Sequence, residues 1–192
     1  GSNEMLTVAT TRPETILGDT AVAVNPKDPR YGRFVGSYAV VPLVGREVPI
    51  IADEHVDIDF GTGALKITPG HDPDDWEIGM RHGLPSVSVI GTDGLMNEEA
   101  GEFAGMTAEA ARDAVVARLQ QEGLFVKADD YNHAVSTCYR CGTTIEPLLS
   151  LQWFMDMKRL VQPAIAAVED GRVRFVPERW GEVYLNWMAG IR

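Results

Sequence analysis

The fold of this chain is decided by the stretch from Phe60 to Asp75, which reads FGTGALKITPGHDPDD. A run of apolar and β-branched residues precedes a turn with proline and glycine, and this predicts a strand followed by a helix. Side chains alternate between the two faces of a strand, so Leu65 and Ile67 should face the core. Lys66 and Thr68 should then project together from the opposite face, beside the start of the helix.

The helix after this strand is predicted to start near Asp72 and to end at Gly83. Asp72 is a good N-cap, Pro73 suits the first helical position, and a glycine commonly follows the last turn. Asp72 and Asp75 lie three residues apart and therefore share a helical face. The stretch thus predicts a cluster of one ammonium, one hydroxyl and two carboxylates. A purely structural explanation also exists, because acids at a helix start act as caps and favour the helix dipole.

Short strands separated by Gly and Pro make up most of the first two-thirds of the chain. They are expected at residues 6–10, 20–25, 38–43, 47–51, 64–68 and 86–90. A second helix is predicted from its cap Thr107 to Glu122, with Gly123 ending it. Strands mixed irregularly with few helices predict an α+β domain built on a closed or barrel-like sheet.

The character of the sequence changes near Tyr131, and three parts are expected. They are a barrel at 3–130, a hairpin with a Cys-x-x-Cys turn at 131–155, and a third part at 156–192. In the third part we expect a helix at about 156–168, a strand at 172–176 and a helix at 177–192. The tryptophans of this last helix lack a partner, which is typical of a segment that returns into a larger protein. Gly1 and Ser2 are interpreted as a remnant of tag cleavage.

Composition and charge limit the classes of function. The chain has 192 residues, of which 45% are hydrophobic and 23% charged, as in an ordinary globular domain. Apolar runs stay below the ~18 residues of a membrane span. Two cysteines do not form a disulfide framework, so a cytoplasmic location is expected. The net charge of −11 argues against a general nucleic-acid binder. It still allows a domain that handles only the tip of a nucleic acid held by other domains.

The segment from Thr10 to Thr15 reads TTRPET and combines three hydroxyls with Arg12. A rim of this kind can position a ribose and a phosphate. By spacing alone, a strand that ends in a proline turn is the more ordinary explanation, because Thr has high β propensity. If the strand continues, Thr10 and Thr11 face opposite sides and cannot both line one pocket.

Cys138 and Cys141 frame a tight turn with the spacing of a zinc knuckle. A structural zinc needs four ligands, so the turn is either half of a site completed elsewhere or a decayed one. A redox dithiol is an alternative, although no thioredoxin-like βαβ context surrounds it. His71 is interpreted as structural, because no second His or Cys lies nearby at ligand spacing. The sequence contains no Gly-rich phosphate loop of standard spacing.

Together these motifs resemble the editing insertion of the class I aminoacyl-tRNA synthetases for valine, leucine and isoleucine, in its valyl version. The residues that carry the resemblance lie at 10–15, 17–24, 42–51, 61–75 and 138–154. Glu14 and Lys66 distinguish the chain from the leucyl version. The resemblance extends over essentially the whole chain and is weakest at 100–130. It implies a distorted β-barrel with flanking helices, a small zinc-knuckle-like hairpin and a helical segment returning to a catalytic domain.

The resemblance also implies an activity, the hydrolysis of threonine wrongly esterified to valine tRNA, with threonyl-adenylate as an open second substrate. A hydrophobic pocket cannot strongly reject an isostere that adds a hydroxyl, and the valine enzyme is the known example of this limit. A second site must therefore recognise the hydroxyl and leave valine facing unpaired polar groups.

Roles for individual residues follow from the resemblance. Lys66, Asp72 and Asp75 are expected to form the catalytic set. Lys66, Thr68 and Asp72 would contact the threonine hydroxyl, and Asp75 would pair with the α-ammonium. The terminal adenosine is expected against Thr10, Thr11, Arg12, Thr15 and Phe60. A positioned water, helped by the neighbouring ribose hydroxyl, would attack the ester, and we expect no protein general base.

The implied partners are the 3′ end of valine tRNA carrying threonine and the rest of a synthetase in cis, with no membrane. No cofactor is expected for editing. ATP would belong to the full-length enzyme, and so would any zinc, bound by Cys138, Cys141 and another Cys-x-x-Cys that precedes the insertion. Two alternatives stay open. One is a non-enzymatic zinc-ribbon adaptor that binds through the Trp-rich tail, and the other is a free-standing trans-editing hydrolase.

Overall fold

The computed structural model of the protein describes residues 4–191. Gly1 and Ser2, which the sequence indicates as a tag remnant, lie outside the described residues. The chain divides into two compact units, residues 1–149 and residues 150–192. The Cys138–Cys141 turn belongs to the first unit.

A mixed sheet of four strands forms the centre of the first unit, in the order β2-β3-β1-β4. The strands are β1 (Ala21–Val24), β2 (Tyr38–Val40), β3 (Glu47–Ala52) and β4 (Ala64–Ile67). β1 runs parallel to β3 and antiparallel to β4, and β2 pairs antiparallel with β3. In this register Val22 lies opposite Ile50 on one side and opposite Lys66 on the other.

The sheet differs from the barrel-like sheet that the sequence and the resemblance predicted. β2 and β4 are its two edges, and within residues 4–191 no ladder joins them, so closure into a barrel is not confirmed. The strands expected at 6–10 and 86–90 do not form; the latter contributes one bridge between Ile90 and Met96. Leu6 and Val8 pack on an apolar cluster that contains Val24. Their apolar surface is thus buried without a hydrogen-bonded ladder, which alternation in sequence cannot distinguish from a strand.

Both predicted helices of the first unit are confirmed together with their caps. They are α1 (Pro73–His82) and α2 (Ala108–Gln121). The Asp72 carboxylate accepts two backbone N–H groups of the first turn of α1, at 2.8 and 3.2 Å. Gly83 ends α1 with φ of 64°, a left-handed conformation that suits glycine. Thr107 caps α2 through its hydroxyl at 3.3 Å.

The alternation predicted for β4 places its side chains as expected. Ile67 is fully buried in an apolar cluster with Ile78 of α1, and Leu65 packs against the same cluster. Lys66 and Thr68 lie outside that cluster and are nevertheless buried. The other cluster of interest joins α2 to Leu17 in a 3₁₀-helix at Pro13–Gly18. The 3₁₀-helix is thereby held against α2.

The second unit contains three helices, α3 (Met157–Leu160), α4 (Gln162–Glu169) and α5 (Arg179–Gly190). The single helix expected at 156–168 is interrupted at Val161, because Pro163 in the first turn of α4 has no backbone N–H to continue the ladder. The strand expected at 172–176 is not formed. None of the helices in the described part of the chain is long and apolar enough to cross a bilayer.

Candidate functional site

A cavity of about 80 Å³ lies where the end of β4, the start of α1 and the segment before the 3₁₀-helix meet. This is about the space of two or three water molecules. All the residues that line it are polar or charged, and they are Thr10, Thr11, Arg12, Thr15, Lys66, Thr68, His71 and Asp72. Of these eight, all but His71 are site residues predicted from the sequence. The fold therefore brings together segments that are more than fifty residues apart.

Thr10 and Thr11 both line the cavity, although a continuing strand would have turned them to opposite sides. The strand does not continue: Arg12 has φ of −131° and ψ of 67° and precedes the 3₁₀-helix. The hydroxyl of Thr10 accepts the N–H of Arg12 at 3.0 Å. The hydroxyl of Thr15 donates to the carbonyl of Arg12 at 2.9 Å. The hydroxyls thus shape the turn that presents Arg12.

A buried hydrogen-bond chain links Lys66, Thr68 and Asp19 at this cavity. Lys66 Nζ donates to Thr68 Oγ1 at 2.5 Å, and Thr68 Oγ1 donates to Asp19 Oδ1 at 2.5 Å. Nζ also lies 3.5 Å from the same carboxylate oxygen. Burial raises the pKa of Asp19 to about 6, although Lys66 and Thr68 act to lower it. The carboxylate is therefore largely ionised at neutral pH and serves as the counterion of Lys66.

Asp19 is a residue that the sequence analysis missed. It lies in the run 17–24 that carried the resemblance, yet a Gly-Asp pair after a helix is typical of a turn. Its contact with Lys66 spans 47 residues and depends on the antiparallel pairing of β1 with β4. The contact could have been predicted only from that strand register, because Thr20 directly precedes β1 and Thr68 directly follows β4.

The two carboxylates at the start of α1 take different positions. Asp75 is buried and does not line the cavity; its Oδ2 accepts the N–H of Thr68, which does, at 2.8 Å. Burial raises the pKa of Asp75 to about 6. Asp72 reaches the cavity with part of its side chain and uses one oxygen to cap α1, as the structural explanation predicted.

Phe60 lies apart from the other predicted site residues and does not line the cavity. Its ring is 63% exposed and meets the ring of Tyr131 edge to face, with centroids 6.3 Å apart. An exposed aromatic pair offers flat surface to a base. Contact of Phe60 with an adenosine stays a prediction.

Arg12 is held from three directions. Nε donates to Glu14 Oε1 at 3.3 Å, and Nη1 donates to the carbonyl of His71 at 3.1 Å. Nη2 pairs with Glu146, which follows the Cys138–Cys141 turn. Nothing in the local sequence links residue 146 to residue 12, so Glu146 could not be predicted as a neighbour of this site.

His71 lines the cavity as a neutral imidazole. Its Nε2 accepts the N–H of Val89 at 2.8 Å, which leaves the ring proton on Nδ1. Burial, together with the nearby charges of Arg12 and Lys66, lowers the pKa of His71 to about 4. The ring therefore ties the turn before α1 to the segment at Val89.

Cys138 and Cys141 lie on a turn that the N–H of Gly142 closes on the carbonyl of Cys138 at 2.8 Å. Both thiols are free, and a hydrogen bond with Thr143 lowers the pKa of Cys141. One bridge, between Thr137 and Thr144, stands where two strands were expected, so the hairpin is not confirmed. Across residues 4–191 no group of three or more His, Cys, Asp or Glu side chains is placed to hold a metal. Two thiols fit half of a structural zinc site and not a closed one.

A larger groove, of about 690 Å³, lies in the second unit between the start of α3 and the end of α5. Asp156 and Lys158 are the charged residues of its lining, which is otherwise small or apolar. Convergent polar groups and carboxylates with raised pKa values characterise functional sites. We therefore place the candidate site in the smaller cavity of the first unit.

Comparison with known proteins gives consistent matches. A family model described as "Leucyl-tRNA synthetase, editing domain" matches residues 26–120. The valine–tRNA ligase of Fervidobacterium nodosum is 56% identical over 192 residues, and that of Thermotoga maritima is 54% identical over 191 residues. Each alignment includes 100% of this chain and 22% of the ligase, so the chain spans about a fifth of these relatives.

Two solved structures share the fold. The LeuRS–tRNA–LeuAMS ternary complex of Agrobacterium radiobacter K84 matches with a TM-score of 0.53 and 24% identity, over 76% of this chain and 22% of that one. The crystal structure of GlLeuRS-CP1 matches with a TM-score of 0.50 and 15% identity, over 64% of this chain and 83% of that one. These likenesses concern architecture alone.

The alignments cover the whole of this chain, and they agree with the family model and with the architecture. Together the alignments and the family model favour an editing domain over a zinc-ribbon adaptor. The site adds a polar cavity built from the same residues that carried the resemblance. The chain therefore belongs to the editing domains of the valine–tRNA ligase family.

Proposed function

We propose that this domain hydrolyses the ester bond of threonine wrongly attached to valine tRNA. The observation that carries the proposal is the buried Lys66–Thr68–Asp19 chain beside a cavity of about 80 Å³. A cavity of this size suits a short side chain. Its polar lining suits a hydroxyl, whereas an apolar side chain would leave buried donors unpaired.

The donors of Lys66 explain how a hydroxyl would be recognised. An ammonium carries three N–H donors, and Thr68 Oγ1 and Asp19 Oδ1 account for two of them. The third would donate to the threonine hydroxyl. Valine would place a methyl group there, and an unmet buried donor costs about 1–3 kcal/mol. Asp72, which also lines the cavity, would accept from the same hydroxyl.

The remaining groups would hold the rest of the substrate. Asp75 Oδ2 is occupied by the N–H of Thr68, so Oδ1 would take the free α-ammonium of the amino acid. The rim of Thr10, Thr11, Arg12 and Thr15 would hold the sugar and phosphate of the terminal adenosine. Phe60 would offer its exposed ring to the adenine.

Hydrolysis would proceed by direct attack of water on the ester carbonyl. The bond to the ribose oxygen breaks, that oxygen takes a proton, and threonine and uncharged tRNA leave. His71 is a neutral donor at Nδ1, and the bonded oxygen of Asp19 is taken up by Thr68 and Lys66. We therefore assign no protein general base, and the protein contributes position and charge.

The proposal also assigns separate roles to the domains of a longer ligase. The chain carries 28 acidic and 17 basic residues, so it should repel the body of a tRNA. Other domains would hold that body, bind ATP and charge valine in the cytoplasm. The present domain would receive only the flexible 3′ end.

The test is made in the full-length ligase that carries this domain. Lys66→Ala and Asp75→Ala should let threonyl-tRNA accumulate, with deacylation slowed about tenfold or more, because each removes a charge-assisted contact. Valine charging should stay near normal. Lys27→Ala is the matched control, since Lys27 is exposed and pairs with Glu54 at the surface. Clearance of threonyl-tRNA at the wild-type rate by both site variants would contradict the proposal.

A further inference from the structure

Glu14 is a fully buried carboxylate that lies between two guanidinium groups. Arg12, at the rim of the cavity, donates to its Oε1 through Nε at 3.3 Å. Arg112, on α2, donates through Nε to Oε2 and through Nη2 to Oε1, both at 3.0 Å. One carboxylate oxygen is therefore shared by both arginines.

The contact with Arg112 has the geometry of the strongest ion pairs in proteins. Two parallel N–H donors meet the two oxygens of one carboxylate, which fixes the plane and the position of that carboxylate. Glu14 in turn raises the pKa of Arg112. The 3₁₀-helix that carries Glu14 also packs on α2 through Leu17. Arg112 therefore determines where the acceptor of Arg12 lies.

The charges of this cluster are balanced only when Arg112 is present. Arg12 contacts two carboxylates, the buried Glu14 and the partly buried Glu146. With Arg112 the four groups sum to zero. Without it Arg12 and the two carboxylates carry a net charge of −1, which would repel an anionic ligand at the rim. An anionic ligand at the rim needs Arg12 with an available positive charge.

We propose that Arg112 is a positioning residue for the nucleotide end of the substrate and acts on it through Glu14 and Arg12. It neutralises and orients Glu14, so that Arg12 keeps both its place at the rim and its charge for a phosphate. This inference rests on the proposed function and adds a residue from α2 that does not line the cavity.

A double-mutant cycle in the full-length ligase tests whether Arg112 acts through Glu14 and Arg12. Arg112→Ala should raise KM for threonyl-tRNA deacylation about tenfold with little change in kcat, because one charge-assisted contact to the nucleotide end is weakened. Arg12→Ala should do the same. The double variant should be no worse than Arg12→Ala, since Arg112 acts only through Arg12. Arg112→Lys should recover part of the loss, because it restores the charge without the two-pronged geometry.

Arg118→Ala is the matched control. Arg118 lies on the same helix with the same 42% exposure and pairs with Glu102 and Glu122 at the surface. Its KM should not change. If Arg112→Ala does not fold, Arg112→Lys takes its place in the cycle with Arg12→Ala and the corresponding double variant. The same non-additivity of the KM changes is expected. Additive changes in KM, or an unchanged KM in the Arg112 variant, would overturn the proposal that Arg112 acts through Arg12. The Lys66→Ala and Asp75→Ala ligases run alongside separate the two proposals, because full activity of both would refute the proposed function itself.

Discussion

Replacement of Asp75 by asparagine should change how the stability of the chain depends on pH. Asp75 is 6% exposed, and burial raises the pKa of its carboxyl from 3.8 to about 6. Asparagine keeps the shape and the oxygen that accepts the N–H of Thr68 at 2.8 Å. The substitution therefore removes the titration and leaves the hydrogen bond in place.

The sign follows from where the proton binds more tightly. The folded state binds the Asp75 proton more tightly than the unfolded state, so the stabilising contribution is fully present below pH 3.8 and is lost as the pH rises through 6. A rise from 3.8 to about 6 corresponds to about 3 kcal/mol, because each tenfold change in proton affinity is ~1.4 kcal/mol. The asparagine variant should therefore gain up to about 3 kcal/mol relative to wild type between pH 4 and pH 7.

Urea denaturation of the 192-residue chain, followed by circular dichroism at several pH values, measures this difference. Contributions common to both proteins, such as the pKa of His71 lowered to about 4, largely cancel in the comparison. Asp74→Asn is the control, because Asp74 carries the same charge at the neighbouring, exposed position of α1. A difference between wild type and Asp75→Asn that is flat in pH would refute the burial argument.

Three further predictions concern one close backbone approach and the two thiols. Gly70→Ala should lower stability by about 1–3 kcal/mol, because a Cβ there would stand 2.5 Å from a backbone carbonyl oxygen, whereas Gly32→Ala meets nothing within 4 Å and should be nearly neutral in the same denaturation. The reductant-treated chain should hold no stoichiometric zinc by elemental analysis, since Cys138 and Cys141 supply only two ligands. The lowered pKa of Cys141 should also make it the first thiol alkylated by iodoacetamide.

Elements with strong local signals could be predicted from the sequence. Asp72 and Gly83 mark both ends of α1, and Thr107 marks the start of α2, because caps depend on residues a few positions apart. The alternation in β4 likewise placed Lys66 and Thr68 on one side. Residues 6–10 were wrongly predicted as a strand, since β propensity records an extended, half-buried segment and not its hydrogen-bond partner.

Residue patterns alone predicted the site only where its contacts are local, and the resemblance supplied the residues at 10–15 that share the cavity with Lys66. Lys66 and Thr68 are two residues apart, and one strand aligns them. Asp19, Glu146 and Arg112 reach the site from other elements, and their pairing depends on sheet register and on helix packing. An acidic or basic residue in a turn or on a helix face is ordinarily solvated. The sequence around it therefore gives no indication of such a contact.

The order of the strands has a consequence for synthesis on the ribosome. β1 is central and buried, yet β3 begins 23 residues after β1 ends, and Ile67 of β4, the partner of Ala21, is made 46 residues after it. A nascent chain therefore carries the apolar segment AVAV without its β3 partner until residue 52 has emerged, and without its β4 partner until residue 67 has emerged. The pairs of Glu14 with Arg112 and of Arg12 with Glu146 form later still, when residues 112 and 146 arrive. The complete site thus forms only after most of this chain has been translated, and a stalled fragment ending before β4 would expose an unpaired edge of β1 to aggregation.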